Sequence, residues 1–355
     1  MQSFITINEI NVNNNFKNEK IKSIFDIKEN KIVFKKEHKL FYDEIEKWNI
    51  GVIIGNSGSG KTSLAKQIAE RESIKVIEKN IWNDDSIINN FNGPINEILD
   101  FLSSIGLNTQ PSYLKPYSVL SNGEKMRVDV ARSIFENDYI IIDEFTSVVD
   151  RNIAKIICMC VKKLIVKKQK KVIFVSCHKD FLEWLEPDWV YDVDKKEFIK
   201  DLLWQRPPLQ FFIARGEKKD WEYFKQYHYL SSKFNANNMI YILYDEYYNK
   251  IGICAFIHFP HNKIKLIKVH RLVILPDYQG IGLGNKMLSE CCKQVRLLHK
   301  DRKIGISTSL LRFAKSIEKN KDFICFFQGT SNEKNDKPSL NFTKREAKVS
   351  FYYKH

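Results

Sequence analysis

The stretch Gly55-Asn56-Ser57-Gly58-Ser59-Gly60-Lys61-Thr62 follows an apolar run, Ile50–Ile54, and precedes a predicted helix from Lys61 to about Glu72. We call residues 55–62 the first glycine loop. They match the pattern GxxxxGK[ST] in the strand–loop–helix context that the pattern requires. Glycines let backbone N–H groups converge on phosphate oxygens at a helix start. The sequence therefore predicts a nucleotide site, with Lys61 on the phosphates and the Thr62 hydroxyl on Mg²⁺.

Four further segments follow in chain order. They are Leu120-Ser121-Asn122-Gly123-Glu124 at a predicted helix start, the apolar strand Tyr139–Ile142 ending in Asp143-Glu144, Ser147-Val148-Val149-Asp150, and Ser176-Cys177-His178 after the next strand. Apolar strands that alternate with helices predict a mostly parallel sheet covered by helices.

With the first glycine loop, these segments resemble the signature motif, Walker B, D-loop and switch histidine of the ABC ATPases. The resemblance implies an α/β P-loop ABC ATPase domain over residues 1–205 that binds ATP and Mg²⁺. Asp143 would hold the metal with Thr62. The catalytic residues would be Glu144, which orients the attacking water, and His178, which contacts the γ-phosphate.

The resemblance also implies a homodimer that closes on ATP. The residues that would face the partner's ATP are Ser121, Asn122, Gly123, Glu124 and Asp150. The signature reads LSNGE rather than LSGGQ, a mild departure because asparagine tolerates the left-handed conformations that glycine allows. Trp82-Asn83 stands where the family carries a glutamine, and only about sixty residues separate the first glycine loop from the signature. The short segment disfavours docking to a membrane permease.

A second glycine loop, Gln279-Gly280-Ile281-Gly282-Leu283-Gly284, lies between the predicted strand Lys265–Leu275 and the predicted helix Asn285–Leu298. The physical basis for pyrophosphate binding is the same as in the first loop. A dinucleotide-binding loop would need an acidic residue about twenty positions on, where Arg302-Lys303-Ile304 stands. A degenerate loop that binds nothing stays an alternative.

With the preceding Leu272-Val273-Ile274-Leu275-Pro276, this loop resembles motif A of the GNAT acyltransferases. The resemblance implies an α+β GNAT-like acyltransferase domain that uses acetyl-CoA or another acyl-CoA. The strand at Leu272 and Ile274 would bond the pantetheine arm, and residues 279–284 would hold the CoA pyrophosphate. We place this domain at residues 206–355, since the double proline Pro207-Pro208 marks a linker.

The charge distribution points to a polyanionic partner for the second domain. Lys and Arg number 30 against 30 Asp and Glu through Gln205, and 27 against 13 from Arg206 onward. Such a basic excess favours nucleic acid, with drift in composition as the alternative. Tyr227-His228-Tyr229, after a predicted helix Lys218–Tyr229, resembles a short segment of the phage Mom proteins, which modify bases in DNA. We expect these three residues to line the acceptor pocket, unless they are core aromatics with a satisfied histidine. Tyr352 and Tyr353 are candidate general acids.

Other function classes are less favoured. No apolar run is long enough to span a bilayer, and no signal peptide is visible, so we expect a cytoplasmic protein. The seven cysteines show no metal-site spacing and are expected to be reduced and mostly buried. The alternatives to an ATP-dependent acyltransferase are the ATP-binding subunit of an ABC transport system with a regulatory C-terminal domain, and an ABC-type DNA-maintenance ATPase.

Overall fold

The computed structural model describes residues 2–11, 13–28, 31–228, 234, 239–261, 264–330 and 347–354. The chain divides into two compact units. The first contains residues 1–107 and 112–207, and the second contains residues 108–111 and 208–355. The main division falls after Pro207, within the double proline.

In the first unit, helices alternate with strands along most of the chain. The strands are β1 (Gln2–Asn11), β2 (Lys31–Leu40), β3 (Ile50–Ile54), β4 (Lys75–Ile77), β5 (Tyr139–Ile142), β6 (Lys171–Ser176), β7 (Trp189–Asp192) and β8 (Glu197–Lys200). The helices up to Pro207 are α1 (Phe16–Phe25), α2 (Lys61–Glu72), α3 (Ile95–Ser104), α4 (Gln110–Tyr113), α5 (Asn122–Glu136), α6 (Arg151–Lys168) and α7 (Leu182–Leu185). The predicted helix after the first glycine loop and the predicted strand at Tyr139 are confirmed at the same residues.

The main sheet of this unit has the strand order β4-β5-β6-β3-β7-β8, and β1 pairs with β2 in a separate antiparallel ribbon. All neighbours from β4 to β7 are parallel, and β8 joins the edge antiparallel to β7. β3 is buried along its whole length because helices cover both faces of a parallel sheet. The predicted parallel sheet is confirmed, and the first glycine loop leaves its centre.

The second unit is built on one mixed sheet. Its strands are β9 (Phe211–Arg215), β10 (Met239–Asp245), β11 (Lys250–Phe259), β12 (Leu266–Ile274), β13 (Lys303–Thr308), β14 (Phe323–Thr330) and β15 (Ala347–Tyr353). Its helices are α8 (Trp221–Phe224), α9 (Leu283–Leu298) and α10 (Leu311–Glu318). The strand order is β14-β15-β13-β12-β11-β10-β9, and among the described pairs only β12 and β13 run parallel.

Apolar clusters cover both faces of this sheet. Met287 and Cys291 of α9 pack on one face with Ile267 and Ile306 of the strands. Trp221 and Phe224 of α8 pack on the other face with Ile240, Ile253 and Val273. We call these the α9 face and the α8 face. The expected helix Lys218–Tyr229 is wrong in its extent, because the segment forms the four-residue α8 between two 3₁₀ turns, and Tyr229 lies outside the described residues.

The cysteines match the expectation of mostly buried thiols. Five of the seven are buried, and Cys177 and Cys325 are exposed. Burial raises the pKa of the Cys254 thiol well above its usual range, which keeps the thiol protonated and inert.

Candidate functional site

The first glycine loop joins β3 to α2 through two left-handed glycines. Gly58 has φ +75° and Gly60, which caps α2, has φ +100°. A Cβ atom added at either glycine would meet nothing within 4 Å, so the loop backbone borders open space. The N–H groups at the start of α2 therefore face a region that an anion can enter.

The loop is held in shape from both sides. Lys61 Nζ donates to the carbonyl oxygens of Gly55 (2.9 Å) and Asn56 (2.6 Å). The carboxylate of Asp194 accepts the Asn56 N–H at 2.7 Å, and Lys36 Nζ donates to the Ser59 carbonyl oxygen at 2.7 Å. The motif does not reveal Lys36 and Asp194, because both come from distant parts of the chain.

Thr62 and Asp143 meet beside the loop, as the motifs predict. The Thr62 hydroxyl donates to Asp143 Oδ2 at 2.7 Å, and Asp143 Oδ1 accepts the Glu144 N–H at 2.8 Å. Asp143 is buried while Glu144 is exposed. A hydroxyl and a carboxylate oxygen side by side are hard oxygen ligands that fit Mg²⁺.

The ends of β5 and β6 are joined next to this pair. Ser176 Oγ donates to the Phe145 carbonyl oxygen at 2.9 Å and accepts the His178 N–H at 3.1 Å. Glu144 has φ +53°, a left-handed conformation that non-glycine residues adopt at a cost. The backbone thus carries Glu144 and the half-buried His178 on adjacent strand ends.

The signature segment caps α5. Ser121 Oγ accepts the Glu124 N–H (3.2 Å), and Glu124 Oε2 accepts the Ser121 N–H (3.0 Å), which forms a capping box. Ser112 Oγ donates to Glu124 Oε1 at 2.7 Å, so the Glu124 side chain is committed to contacts within its own unit. Asn122 is the first residue of the right-handed helix, so this position does not use a left-handed conformation. Asp150 caps α6 and accepts the Asn152 N–H at 2.8 Å.

The segment that carries Trp82 is tied to α5 through the partly buried carboxylate of Asp129. Asp129 accepts from Trp82 Nε1 (2.8 Å), from the Tyr117 hydroxyl (2.6 Å) and from Asn80 Nδ2 (3.2 Å). Trp82 stacks on Tyr117 with ring centroids 4.9 Å apart. Burial raises the pKa of Asp129. Sequence reasoning missed this cluster, because its members are dispersed over fifty positions.

The second glycine loop repeats the geometry of the first. Gly280 has φ +91° and Gly282, which caps α9, has φ +87°. A Cβ atom at Gly282 would meet nothing within 4 Å. The Gln279 side chain donates to the Ile274 carbonyl oxygen at 2.7 Å, which closes the turn. Leu283 is buried, so this part of the loop offers its backbone rather than its side chain.

β12 and β13 separate beside this loop. In the described part of the chain they pair from Leu266 to Lys268 against Lys303 to Gly305, and not beyond. The strand gap, defined as the space between Val269–Ile274 and Ile306–Thr308, leaves one edge of β12 without a neighbouring strand. Leu272 and Ile274 lie along this edge, and their side chains pack on the α9 face.

A shallow groove continues from the loop along α9 and α10. Its volume is about 590 Å³, and Gly282 lies at its margin. Its lining residues are polar or charged and include Asn285, Lys286, Lys319 and Asn320. Lys286 lies near the start of α9 and Lys319 at the C-terminal end of α10, and Glu290 and Asp322 in the same lining balance their charges.

Of the three expected acceptor residues, Tyr229 lies outside the described residues, and Tyr227 and His228 lie on the α8 face. Tyr227 packs against the apolar cluster of the α8 face, and the His228 ring meets the buried Trp221 edge-on at 5.6 Å. Tyr353 is buried on the α9 face, and burial raises the pKa of its hydroxyl. Tyr352 stacks on Phe326 at 3.8 Å.

Residues 236–355 match the family model of the acetyltransferase (GNAT) domain. The matched range contains the strand gap, the second glycine loop and α9. The chain carries a C-terminal GNAT acetyltransferase domain. No curated protein matches the chain.

Among solved structures, the chain is similar to spermidine N-acetyltransferase from Vibrio cholerae in complex with CoA and spermine. The identity is 12%, 41% of this chain and 94% of that chain are covered, and the TM-score is 0.32. The same enzyme in complex with manganese ions gives 14% identity, coverage of 40% and 91%, and a TM-score of 0.32. A metal-chelate type ABC transporter in an inward-facing conformation gives 14% identity, coverage of 61% and 94%, and a TM-score of 0.37.

The described residues contain neither a membrane-spanning helix nor a cluster of metal-ligating side chains. No helix there is both long enough and apolar enough to cross a membrane. No group of three or more His, Cys, Asp or Glu side chains there is placed to hold a metal ion. The magnesium ligands inferred above are a hydroxyl and a single carboxylate, and nucleotide phosphates would complete such a set.

Proposed function

We propose that this protein is an ABC-type ATPase whose GNAT domain transfers an acyl group from acyl-CoA to nucleic acid or another anionic acceptor. The observation that supports it is the occurrence, in one chain, of two strand–loop–helix turns with left-handed glycines that border open space. Both turns suit a pyrophosphate, and each carries the sequence pattern of a different ligand.

The first site binds ATP with Mg²⁺. Lys61 exchanges the Gly55 and Asn56 carbonyl oxygens for phosphate oxygens, since a charged acceptor is the stronger partner. Thr62 and Asp143 hold the metal, which neutralises phosphate charge when bound. Glu144 orients the attacking water, and His178 contacts the terminal phosphate.

Hydrolysis takes place in a homodimer. At the start of α5, Ser121 offers its hydroxyl proton and Gly123 its N–H to the phosphate held by the other protomer. Glu124 supports this helix start through its capping box, and Asp150 orders the start of α6. The helix-start geometry supports Ser121 and Gly123 as the contacts and gives Asn122, Glu124 and Asp150 a supporting part.

The second site binds acetyl-CoA or another acyl-CoA. Backbone N–H groups of residues 279–284 hold the pyrophosphate, and the edge of β12 at Leu272 and Ile274 bonds the pantetheine arm in the strand gap. The groove with Lys286 and Lys319 accommodates the remainder of the nucleotide. The thioester then lies between β12 and β13, where an acceptor can approach it from the α8 face.

The acceptor is nucleic acid, because the basic excess belongs entirely to residues 206–355. The deciding experiment compares nucleic acid from cells with and without the protein by mass spectrometry. A mass increase equal to an acyl group, lost in the Gly282→Glu variant, is expected. Purified protein that binds neither ATP nor acetyl-CoA would overturn the proposal.

A further inference from the structure

β12 contains a bulge at the edge of the strand gap. Ala255 of β11 lies opposite Arg271, whereas the next residue, Phe256, lies opposite Val269. His270 is therefore the extra residue of β12. Bulges re-aim side chains and are over-represented beside active sites. This one falls just past Lys268, where β12 leaves β13.

The bulge directs two consecutive side chains to the same face. Val269 and Leu272, which flank the pair, pack on the α9 face. The His270 ring lies 5.7 Å from the ring of Phe234, and the Arg271 guanidinium lies 5.8 Å from the ring centre of Trp221, both on the α8 face. An unbroken strand would have sent His270 and Arg271 to opposite faces. The bulge thus brings an imidazole and a guanidinium together at the strand gap.

The surroundings keep the imidazole of His270 neutral. Partial burial, the Arg271 guanidinium and His228 lower the pKa of His270 to about 4. At neutral pH the ring is deprotonated and has one nitrogen able to accept a proton. Arg271 keeps its positive charge beside it.

We propose that His270 is the proton acceptor of acyl transfer in the GNAT domain, and that the nucleophile it serves is an uncharged, weakly basic amine. This inference rests on the proposed acyl-CoA function. An ammonium group would be repelled by Arg271 and would first have to lose a proton to a base weaker than itself. An amine that is neutral at physiological pH needs no such step.

The reaction balances with these groups alone. The amine lone pair attacks the thioester carbonyl carbon, and the carbonyl π electrons move onto oxygen. The nitrogen, now positively charged, gives its proton to the ring of His270. The tetrahedral intermediate collapses, the C–S bond breaks, and the His270 imidazolium returns the proton to the leaving CoA thiolate. An imidazolium of low pKa is a strong acid, which suits the last step.

On nucleic acid, amines of this class are the exocyclic amino groups of adenine, cytosine and guanine, while thymine has none. A polyamine such as spermine belongs to the opposite class, because its amines are cationic at neutral pH. Arg271 therefore also acts as a selectivity residue that disfavours cationic acceptors.

The test uses the full-length protein with radiolabelled acetyl-CoA and short single-stranded DNA homo-oligomers, and spermine as the cationic acceptor. Label is expected on oligo-dA, oligo-dC or oligo-dG, and not on oligo-dT or spermine. His270→Gln should lower the rate about 100-fold while acetyl-CoA binding, measured by calorimetry, stays within a factor of about two. His258→Gln is the matched control, since His258 is exposed and touches His299 on another part of the sheet.

Arg271→Gln provides a second variant that does not depend on His270. It should raise labelling of spermine relative to the oligomers by about tenfold, because the repelling charge is gone. Transfer to spermine by wild type, or an unchanged rate in His270→Gln, would overturn the inference and leave acyl-CoA binding standing. Absence of acetyl-CoA binding by wild type would instead overturn the proposed function itself.

Discussion

The two glycine loops share a backbone and differ in what surrounds it. In each, a strand ends, two glycines adopt positive φ, and the second glycine caps a helix: Gly60 caps α2 and Gly282 caps α9. The first loop adds Lys61 and lies against Thr62 and Asp143. The second loop contains neither a lysine nor a carboxylate.

Under the proposed function, both loops bind a phosphate group, and only the first loop belongs to a site that cleaves a phosphate bond. Helix-start N–H groups suffice to bind an anion, and both loops provide them. Phosphoryl transfer also needs a metal, a cation and a placed water, which the first loop has within reach through Asp143 and Glu144. In our proposal the second loop only anchors its ligand, and acyl transfer takes place at the bulge at His270, nine residues before the loop.

The largest expected effect comes from making the same glycine-to-glutamate substitution in each of the two loops. Gly60→Glu should abolish ATP binding and preserve acetyl-CoA binding, and Gly282→Glu should do the reverse, since a carboxylate would occupy the place of a phosphate. Calorimetry with both ligands on both variants measures this. Gly60→Ala and Gly282→Ala carry the same backbone strain without the charge and should weaken binding less. Loss of both ligands in either Glu variant would contradict independent sites.

Next in size is the effect of Glu144. Glu144→Gln should retain ATP and lower turnover about 1000-fold, because the amide cannot take a proton from the attacking water. Acetyl-CoA binding should not change. Glu183→Gln, at an exposed position on α7, is the control.

The Glu144→Gln variant also tests whether two protomers share each ATP site. With ATP, Glu144→Gln should sediment as a dimer, because the closed state opens only after hydrolysis. A species that stays monomeric at saturating ATP would contradict the assignment of Ser121 and Gly123 to the partner's nucleotide.

The sequence predicts the first loop better than the second site, and the reason is physical. Residues 55–62 and the helix after them form one local unit, so the motif, α2 and the strand at Tyr139 could all be predicted. The signature helix was also predicted. Ser121 and Glu124 have the spacing of a capping box, which fixes the start of α5 at Asn122.

The bulge at His270 depends on contacts that are distant in sequence. The strand Lys265–Leu275 was predicted almost to the residue, but the place where β12 leaves β13 depends on pairing with residues 303–305. One signal was present in the sequence. The alternation of apolar residues breaks at His270-Arg271, between Val269 and Leu272, as expected of a bulged strand. The acceptor prediction at Tyr227, His228 and Tyr229 relied on a short string and stays a prediction, while Tyr227 packs against the apolar cluster of the α8 face.

A smaller effect is expected from the difference in net charge between residues 1–205 and residues 206–355. Full-length protein should bind single-stranded DNA with an affinity that falls about 50- to 300-fold between ~50 and ~200 mM salt, as expected for about four to six phosphate contacts on a single strand. His270→Gln should bind DNA with the same salt dependence, because a neutral ring adds little to counterion release. Fluorescence anisotropy measures both. Binding that is weak and insensitive to salt would favour drift in composition over a polyanion partner.

The smallest expected effect is on stability and concerns His270 alone. Partial burial, Arg271 and His228 lower its folded pKa to about 4, below the value of about 6.5 for an unfolded histidine. Between these pH values the unfolded chain binds more protons, so this contribution is complete above pH ~6.5 and is lost as the pH falls toward ~4. Since the ring is partly solvent-accessible, we expect the melting temperature of wild type to fall by only about 2 °C more than that of His270→Gln over this interval. Melting curves of both proteins at several pH values measure the difference, in which His38 and all other shared groups cancel. Parallel curves would show that His270 is protonated as easily in the folded as in the unfolded chain. They would remove the neutral imidazole on which proton acceptance at the strand gap depends.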